Sequence, residues 1–188
     1  MDFTHRTRLI AFAGDLLVLN RGKCAFNAEN DGNQDLKKIE NWARKSKMHF
    51  HENKSKVLLV TTKTSGVNRT LNIYLNNKCL EQVSEIKYLE IYFDSRISFD
   101  RHVDYITGKC IYIICISIIN MLAKSAKLKW GMGYRAPKVI YTGAIEPILT
   151  YGAPIWDKNL TKQNNLRKYH RVQRMMNIKI AKAFRTLS

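Results

Sequence analysis

One stretch near the start of the sequence constrains the fold more than any other. Residues 9–19 form an apolar run that is interrupted at its centre by Gly14 and Asp15. Two short apolar segments joined by a tight turn are typical of a β-hairpin, because glycine adopts backbone angles that other residues resist. A carboxylate is costly to bury, so Asp15 should reach solvent or bind a cation such as a metal ion. The pattern predicts a buried hairpin with Asp15 at its tip, and a solvated turn aspartate is the simpler interpretation of that residue.

The charge of the sequence is strongly positive and unevenly distributed. The 188 residues include 32 Lys and Arg against 15 Asp and Glu, which gives a formal net charge of +17. Residues 1–100 carry 16 basic against 12 acidic side chains, whereas residues 101–188 carry 16 against 3. A field of this sign favours polyanions such as nucleic acid or an acidic membrane surface. We therefore expect a polyanionic partner to lie mainly against the C-terminal half.

Other features of the sequence narrow the class of protein. The four cysteines follow no zinc or disulfide spacing, so we expect reduced and mostly buried thiols. The N-terminus lacks the order of a secretory signal, which favours an intracellular protein of the nucleus or cytoplasm. The apolar stretch 110–122 is shorter than the about 20 residues that span a bilayer, so it predicts a buried core helix and no membrane insertion.

The apolar periodicity predicts an α+β fold. A helix should follow the cap residues Asp31-Gly32-Asn33 and end near Met48. β-branched and alternating segments predict strands at 56–62, 71–75, 80–83 and 88–94, with a hairpin turn at Asn76-Asn77. Three-and-four spacing then predicts helices over 99–122, from Arg135-Ala136-Pro137 onward, and over 164–184. We divide the chain accordingly into residues 1–94 and residues 95–188.

The order of several short motifs resembles that of a known protein family. Phe12-Ala13-Gly14-Asp15 is similar to the Phe/Tyr-Ala-Asp-Asp hairpin of reverse transcriptases, particularly those of non-LTR retrotransposons. Similar features of that family follow in the same order over nearly the whole chain: Trp42, Asn53-Lys54-Ser55-Lys56-Val57, Leu75-Asn76-Asn77, Tyr88-Leu89-Glu90-Ile91-Tyr92-Phe93-Asp94 and Tyr151-Gly152-Ala153-Pro154-Ile155-Trp156. The specificity of the resemblance lies in this collinear order rather than in any single motif.

The resemblance implies a fold and a set of roles. Residues 1–94 would form a partial polymerase palm made of the hairpin, a helix and antiparallel strands, and residues 95–188 an α-helical, thumb-like region. The activity implied is RNA-directed DNA polymerisation with Mg²⁺, in which Asp15 is a catalytic metal ligand and Lys54 a proton donor near the pyrophosphate. Tyr88 would contact nucleic acid from the strand that grips the primer.

Departures from the family pattern bear on activity. Gly14 occupies the position of the first hairpin aspartate, and the residues before it contain no match to the family's upstream catalytic aspartate. Glu90 replaces the usual glycine, and a carboxylate there would repel primer phosphates. We therefore expect Mg²⁺ not to bind productively and the chain to be inactive alone, which leaves open whether it is an enzyme.

The last predicted helix carries the candidate nucleic-acid surface. At about 100° per residue, its basic side chains cluster opposite its apolar ones, where they could follow the phosphates of RNA or DNA. These basic side chains are Arg167, Arg171, Arg174, Lys182 and Arg185. A solvated basic face that only confers solubility is the alternative interpretation.

Two functions of different class therefore remain. The first is a fragment of a retrotransposon reverse transcriptase that binds template–primer nucleic acid and lacks upstream polymerase segments. The alternative is a non-enzymatic basic module that binds RNA, DNA or a partner protein. A membrane-surface protein that uses a basic amphipathic helix is a weaker third option.

Overall fold

The protein combines helices with small sheets. A computed structural model describes residues 7–61, 69–125 and 135–180. The chain divides into two compact units, one made of Met1–Ile86 with Asp94–Ile97 and the other of Lys87–Phe93 with Ser98–Ser188. This mixture of elements confirms the predicted α+β class. The assignment of residues 1–94 to a palm and 95–188 to a thumb-like region stays a prediction.

The N-terminal apolar run forms the predicted hairpin. Strands β1 (Thr7–Phe12) and β2 (Asp15–Asn20) pair antiparallel, with Phe12 opposite Asp15. The residue with a left-handed backbone in the turn is Ala13, at φ 54°, rather than Gly14.

The prediction that this hairpin is buried is wrong. Successive side chains of a strand point to opposite faces, and one face approaches helix α1 (Ala25–Lys45), where the Thr7 hydroxyl donates to Asp35 at 2.5 Å. The other face bears Ile10, which is 46% exposed, and Phe12, which is 61% exposed. No element of the described part of the chain buries that second face.

Helix α1 begins well before the predicted cap. Residues 31–33 lie inside it, and the side chain of Asn33 makes tertiary contacts instead of capping the helix. The amide of Asn33 donates to the carbonyl of Asn72 at 2.8 Å, and its oxygen accepts the N–H of Tyr74 at 2.9 Å. These contacts outweigh the local preference of Asp, Gly and Asn for helix ends.

Short strands complete the first unit. β3 (Lys56–Leu58) pairs with β6 (Glu81–Val83), and β4 (Tyr74–Leu75) with β5 (Lys78–Cys79). The β4–β5 turn at Asn76-Asn77 has positive φ at both residues, as predicted. The β3–β6 pair is parallel, which differs from the antiparallel strands that the family resemblance implies. The core of the first unit contains the buried side chains of Leu71, Ile73, Leu75 and Leu80.

The prediction of one strand over residues 88–94 is wrong. The chain turns there between β7 (Glu85–Tyr88) and β8 (Ile91–Asp94). Leu89 and Glu90 form the turn with φ of 47° and 66°, the left-handed pair that a two-residue hairpin requires. A glycine at position 90, as in the family pattern, would adopt this backbone without steric cost.

Helices dominate the second unit. The predicted long helix is α2 (Asp100–Ser125), and the predicted last helix is α6 (Gln163–Ile180). Between them lie α3 (Arg135–Ile140), a π-helix (Tyr141–Ile145), α4 (Glu146–Thr150), α5 (Ala153–Trp156) and a 3₁₀-helix (Asp157–Thr161). The π-helix ends two residues before Pro147, whose ring would clash with the carbonyl four residues back in a regular α-helix.

The core of the second unit joins α2 to the later helices. One cluster contains pairs of buried side chains four positions apart on the π-helix and α4, on α2 and on α6: Cys110, Ile114, Ile145, Leu149, Val172 and Met176. A second cluster surrounds Trp156 with Ile91, Phe99, Val103 and Ile106. The first turns of α2 thus contribute to the second cluster and the following turns to the first, which also contains the buried residues of α6.

The expectation of mostly buried cysteines is wrong, because Cys24, Cys79 and Cys115 are exposed and Cys110 is buried. Cys115 follows the buried Ile114 on α2, and one residue rotates a side chain by about 100° around a helix. Within the described residues, no helix is long and apolar enough to cross a bilayer.

Candidate nucleic-acid interface

Asp15 is exposed at the first position of β2. The hairpin register holds it opposite Phe12, directly after the two-residue turn. Gly14 beside it has an ordinary backbone, and a Cβ built there would meet nothing within 4 Å. The hairpin therefore has room for a second carboxylate at position 14, where this chain has none.

Lys54 is exposed in the turn between α1 and β3. Its backbone N–H donates to the carbonyl of His51 at 3.1 Å, which fixes the turn. Lys54 and Asp15 thus lie on separate elements of the first unit. Among the residues that the structure describes, no group of three or more His, Cys, Asp and Glu side chains could hold a metal ion. The catalytic roles of both residues and the metal role of Asp15 stay predictions.

Two lysines, Lys162 directly before α6 and Lys168 within it, form ion pairs with α2. Lys162 donates to both carboxylate oxygens of Asp100 at 2.9 Å, and the amide of the buried Asn165 donates to the same group at 2.6 Å. Burial alone would raise the pKa of Asp100, but these two donors outweigh it and hold the pKa below its usual value. One turn further along, Lys168 pairs with Asp104.

The predicted basic face of α6 points away from these contacts. Arg167, Arg171 and Arg174 are exposed, and their spacing of four and three positions places them on one side of the helix. Val172 and Met176, on the opposite side, are buried in the core with α2. Lys182 and Arg185, which the sequence assigns to the same face, lie outside the described residues.

Tyr88 ends β7 with its ring half-buried. Its hydroxyl is buried and has no hydrogen-bond partner. Tyr88 is thus partly buried rather than exposed, and its predicted contact with nucleic acid stays a prediction.

A second basic group, which the sequence analysis missed, lies where the β7–β8 turn meets α2. We call it the cation–tyrosine cluster, and it consists of Lys87, Tyr92, Arg101, Tyr105 and Lys109. The Lys87 ammonium lies 5.0 Å from the ring centre of Tyr105 and 5.8 Å from that of Tyr92. Arg101 lies 5.3 Å from the Tyr92 ring and Lys109 lies 5.7 Å from the Tyr105 ring. The sequence signal was the spacing 101, 105 and 109, one face of a helix.

Glu90 completes this cluster. One carboxylate oxygen lies 2.7 Å from the Lys87 ammonium, and the other accepts the Tyr105 hydroxyl at 2.7 Å. The hydrogen bonds from Lys87 and Tyr105 lower the pKa of Glu90, and the bond to Glu90 raises the pKa of Lys87. Glu90 is therefore a carboxylate at pH 7, and it accepts hydrogen bonds from the Lys87 ammonium and the Tyr105 hydroxyl.

The chain is similar to proteins of insect retrotransposons. It is 28% identical over 170 residues to "Probable RNA-directed DNA polymerase from transposon BS" of Drosophila melanogaster, which covers 90% of this chain and 17% of the relative. It is 27% identical over 162 residues to "Retrovirus-related Pol polyprotein from type-1 retrotransposable element R1 4" of Nasonia vitripennis, covering 78% and 40%. The corresponding protein of element R1 from Bradysia coprophila is 26% identical over 152 residues, covering 81% and 14%.

The chain therefore spans less than half the length of these relatives. No protein-family profile matches it, and no solved structure matches it.

Proposed function

Because the chain is a relative of the reverse transcriptases of non-LTR retrotransposons, we propose that it is a fragment of an RNA-directed DNA polymerase that binds template–primer nucleic acid. In this proposal residues 1–94 are a partial palm and residues 95–188 a thumb-like region. The partners are RNA and DNA, and the setting is intracellular, in the nucleus or cytoplasm. The observation that carries the proposal is the exposed arginine face of α6.

The basic side chains on and beside α6 support this proposal. Lys162, which directly precedes α6, and Lys168 within it form ion pairs with Asp100 and Asp104 of α2. Arg167, Arg171 and Arg174 are exposed and lie on the other side of α6. A guanidinium binds phosphate through two parallel N–H donors. A row of three guanidinium groups on one helix face therefore suits the phosphates of a nucleic-acid backbone.

The binding experiment replaces Arg167, Arg171 and Arg174 together with Gln. Fluorescence anisotropy with a labelled DNA duplex should show wild-type binding that weakens steeply with salt. Each phosphate contact contributes about 0.9 to the slope of log K against log salt, so the variant should lose affinity and about 2–3 units of slope. Its melting temperature should change little, because the three side chains are exposed.

The matched control replaces Lys37, Arg44 and Lys45, which are exposed on α1. Lys38 is left intact, because it pairs with the buried carboxylate of Asp35 at 2.9 Å and its loss would perturb folding. An equal loss of affinity in both triple variants would show that net charge, rather than the α6 face, binds the duplex. Wild-type binding that is indifferent to salt would contradict the proposed function itself.

The proposal also holds that the isolated chain does not polymerise. Asp15 is the hairpin's one carboxylate at the turn, and Gly14 stands where the family pattern has another. A pair of Mg²⁺ ions needs carboxylate oxygens from more than one segment. Asp15 would be the ligand that this chain contributes, and Lys54 the acid that protonates pyrophosphate if the remaining ligands were supplied.

Primer extension with Mg²⁺ or Mn²⁺ tests this statement. The wild type should incorporate no nucleotide above a heat-inactivated control. The variant Gly14→Asp should also remain inactive, and because position 14 is open, its failure would not reflect a steric clash. Incorporation by either protein would show that the chain contains a metal ligand set that we have not identified.

The uncovered face of the hairpin indicates where missing polymerase segments would pack. Ile10 and Phe12 are exposed together on the face turned away from α1. Exposed apolar patches of this kind often mark interaction surfaces. In our proposal an upstream palm segment of a longer protein covers them and brings its own carboxylate to Asp15.

A non-enzymatic nucleic-acid-binding module is the second candidate. It is favoured by Gly14, because this residue stands where the family pattern has a metal-binding aspartate. A chimera that joins the upstream part of an R1-type relative to this chain with Gly14→Asp distinguishes the two. Polymerisation by the chimera would support the polymerase fragment, whereas duplex binding without polymerisation would support the binding module.

A further inference from the structure

We propose that Glu90 occupies, in the free protein, the place that a nucleic-acid phosphate takes in the complex, so that the cation–tyrosine cluster is a second phosphate-binding surface gated by its own carboxylate. This inference rests on the proposed nucleic-acid-binding function but concerns a surface separate from the arginine face of α6.

The backbone at position 90 disfavours a glutamate. Its φ of 66° lies in the left-handed region, and the preceding Leu89 is also left-handed at 47°. Residues other than Gly, Asn and Asp rarely adopt this conformation, so a glutamate there carries steric strain. The turn is held from outside, because the Tyr151 hydroxyl donates to the carbonyl of Leu89 at 3.1 Å. Strain that the surrounding structure maintains is a reason to look for a role of the side chain.

The Glu90 side chain binds as a phosphate would. Its two oxygens take one ammonium and one hydroxyl donor, each at 2.7 Å. The Lys87 ammonium also lies 3.4 Å from the Tyr105 hydroxyl, so the two donors converge on one anion. A phosphate oxygen accepts the same donors, and lysine binds it as a point charge. The contact is exposed, with 54% of the Glu90 side chain accessible, so solvent and a competing anion can reach it.

The rest of the cluster extends this site along α2. Arg101, Tyr105 and Lys109 lie one turn apart on one face, a distance of about 12 Å from first to last at 1.5 Å per residue. Successive phosphates of one duplex strand are spaced about 3.4 Å along the axis, so a strand that follows α2 can meet several donors. Glu90 is a carboxylate bound to two members of the cluster, and it lowers the positive charge at one end.

The test removes the charge of Glu90 and preserves its size. The variant Glu90→Gln should bind a labelled DNA duplex about twofold to fivefold more tightly at low salt, the range for one exposed ion pair. Its slope of log K against log salt should become steeper by about 0.9, one further phosphate contact. In a Lys87→Gln background the substitution of Glu90 should bring a smaller gain, because the ammonium it releases is absent.

The matched control is Glu81→Gln. Glu81, on β6, is also an exposed glutamate that pairs with a lysine, Lys56, and its replacement changes the net charge equally. Far-UV circular dichroism should show that both variants retain the wild-type fold.

The outcomes separate this inference from the proposed function. Two outcomes would overturn this inference alone, provided that the wild type binds the duplex. One is an equal gain in duplex affinity from Glu90→Gln and from Glu81→Gln. The other is a gain from Glu90→Gln that is undiminished in the Lys87→Gln background. Absence of binding by both the wild type and Glu90→Gln would overturn the inference together with the proposed function. A specific gain from Glu90→Gln that persists when the α6 arginines are replaced would support two independent surfaces.

Discussion

Replacing Gly152 by alanine should destabilise the helical unit severely. Gly152 lies between α4 and α5 with φ of 63°, and it is the N-cap of α5. A Cβ built on its backbone lies 2.7 Å from Cδ1 of Ile91 and 3.9 Å from Nε1 of Trp156. The position therefore combines a left-handed backbone with a close approach to two buried side chains.

Two terms give the magnitude. The left-handed backbone costs an alanine about 1–2 kcal/mol relative to glycine. Ile91 is 4% exposed and packs with Phe99 and Val103, so moving its methyl group away from the new Cβ strains a filled core. Overpacking of this kind costs about 1–3 kcal/mol. We expect Gly152→Ala to lower the free energy of unfolding by about 2–4 kcal/mol, allowing for partial relaxation of the isoleucine.

Urea unfolding followed by far-UV circular dichroism measures this loss. The matched control is Gly108→Ala within α2, where a Cβ meets nothing within 4 Å, and it should stabilise the protein by about 0.5–1 kcal/mol through helix propensity. A Gly152→Ala variant with wild-type stability would refute the reasoning, since neither the backbone strain nor the contact with Ile91 would then exist. Destabilisation by Gly108→Ala would equally contradict the packing of α2.

Two further predictions concern buried titratable groups. His102 is buried against Trp156, its Nε2 has no hydrogen-bond partner, and burial lowers its pKa, so the folded state disfavours the imidazolium. The unfolded chain therefore binds more protons below the ordinary pKa of about 6.5, and urea midpoints should fall as pH drops through that value, but with a shallower slope in His102→Gln. Burial raises the pKa of the Cys110 thiol to about 11, so iodoacetamide should alkylate Cys24, Cys79 and Cys115 well before Cys110 in native protein. Mass spectrometry of the products checks this, and equal rates at all four thiols would contradict the burial of Cys110.

Local sequence patterns predicted the elements whose structure depends mainly on their own residues. The hairpin at residues 9–19 and the long helices α2 and α6 follow from periodicity and a short turn. The start of α1 was not predicted, because the side chain of Asn33 forms hydrogen bonds with the backbone of Asn72 and Tyr74, which lie far along the chain. The β7–β8 turn was also missed, since Leu89 and Glu90 are residue types that rarely take left-handed angles.

The candidate site divides in the same way. The arginine face of α6 follows from helical spacing, and the structure places its described members on the exposed side. Periodicity could not show that Lys162 and Lys168 form ion pairs, because the partners Asp100 and Asp104 belong to another helix. The contact of Glu90 with Tyr105 joins a turn to a helix, and no local pattern encodes it. Asp15 and Lys54 came from motif resemblance alone, and their roles stay predictions.

The uncovered face of the β1–β2 hairpin affects how the protein behaves in concentrated solution. The two-stranded sheet exposes Ile10, Phe12 and Leu19, so two molecules of the protein can associate through this apolar surface. The charge of +17 keeps copies apart only at distances below the Debye length, which shrinks from about 30 Å at 0.01 M salt to about 10 Å at 0.1 M. Colloidal stability should therefore decline as ionic strength rises, the reverse of ordinary salting-in, because added salt removes the repulsion and leaves the apolar attraction intact.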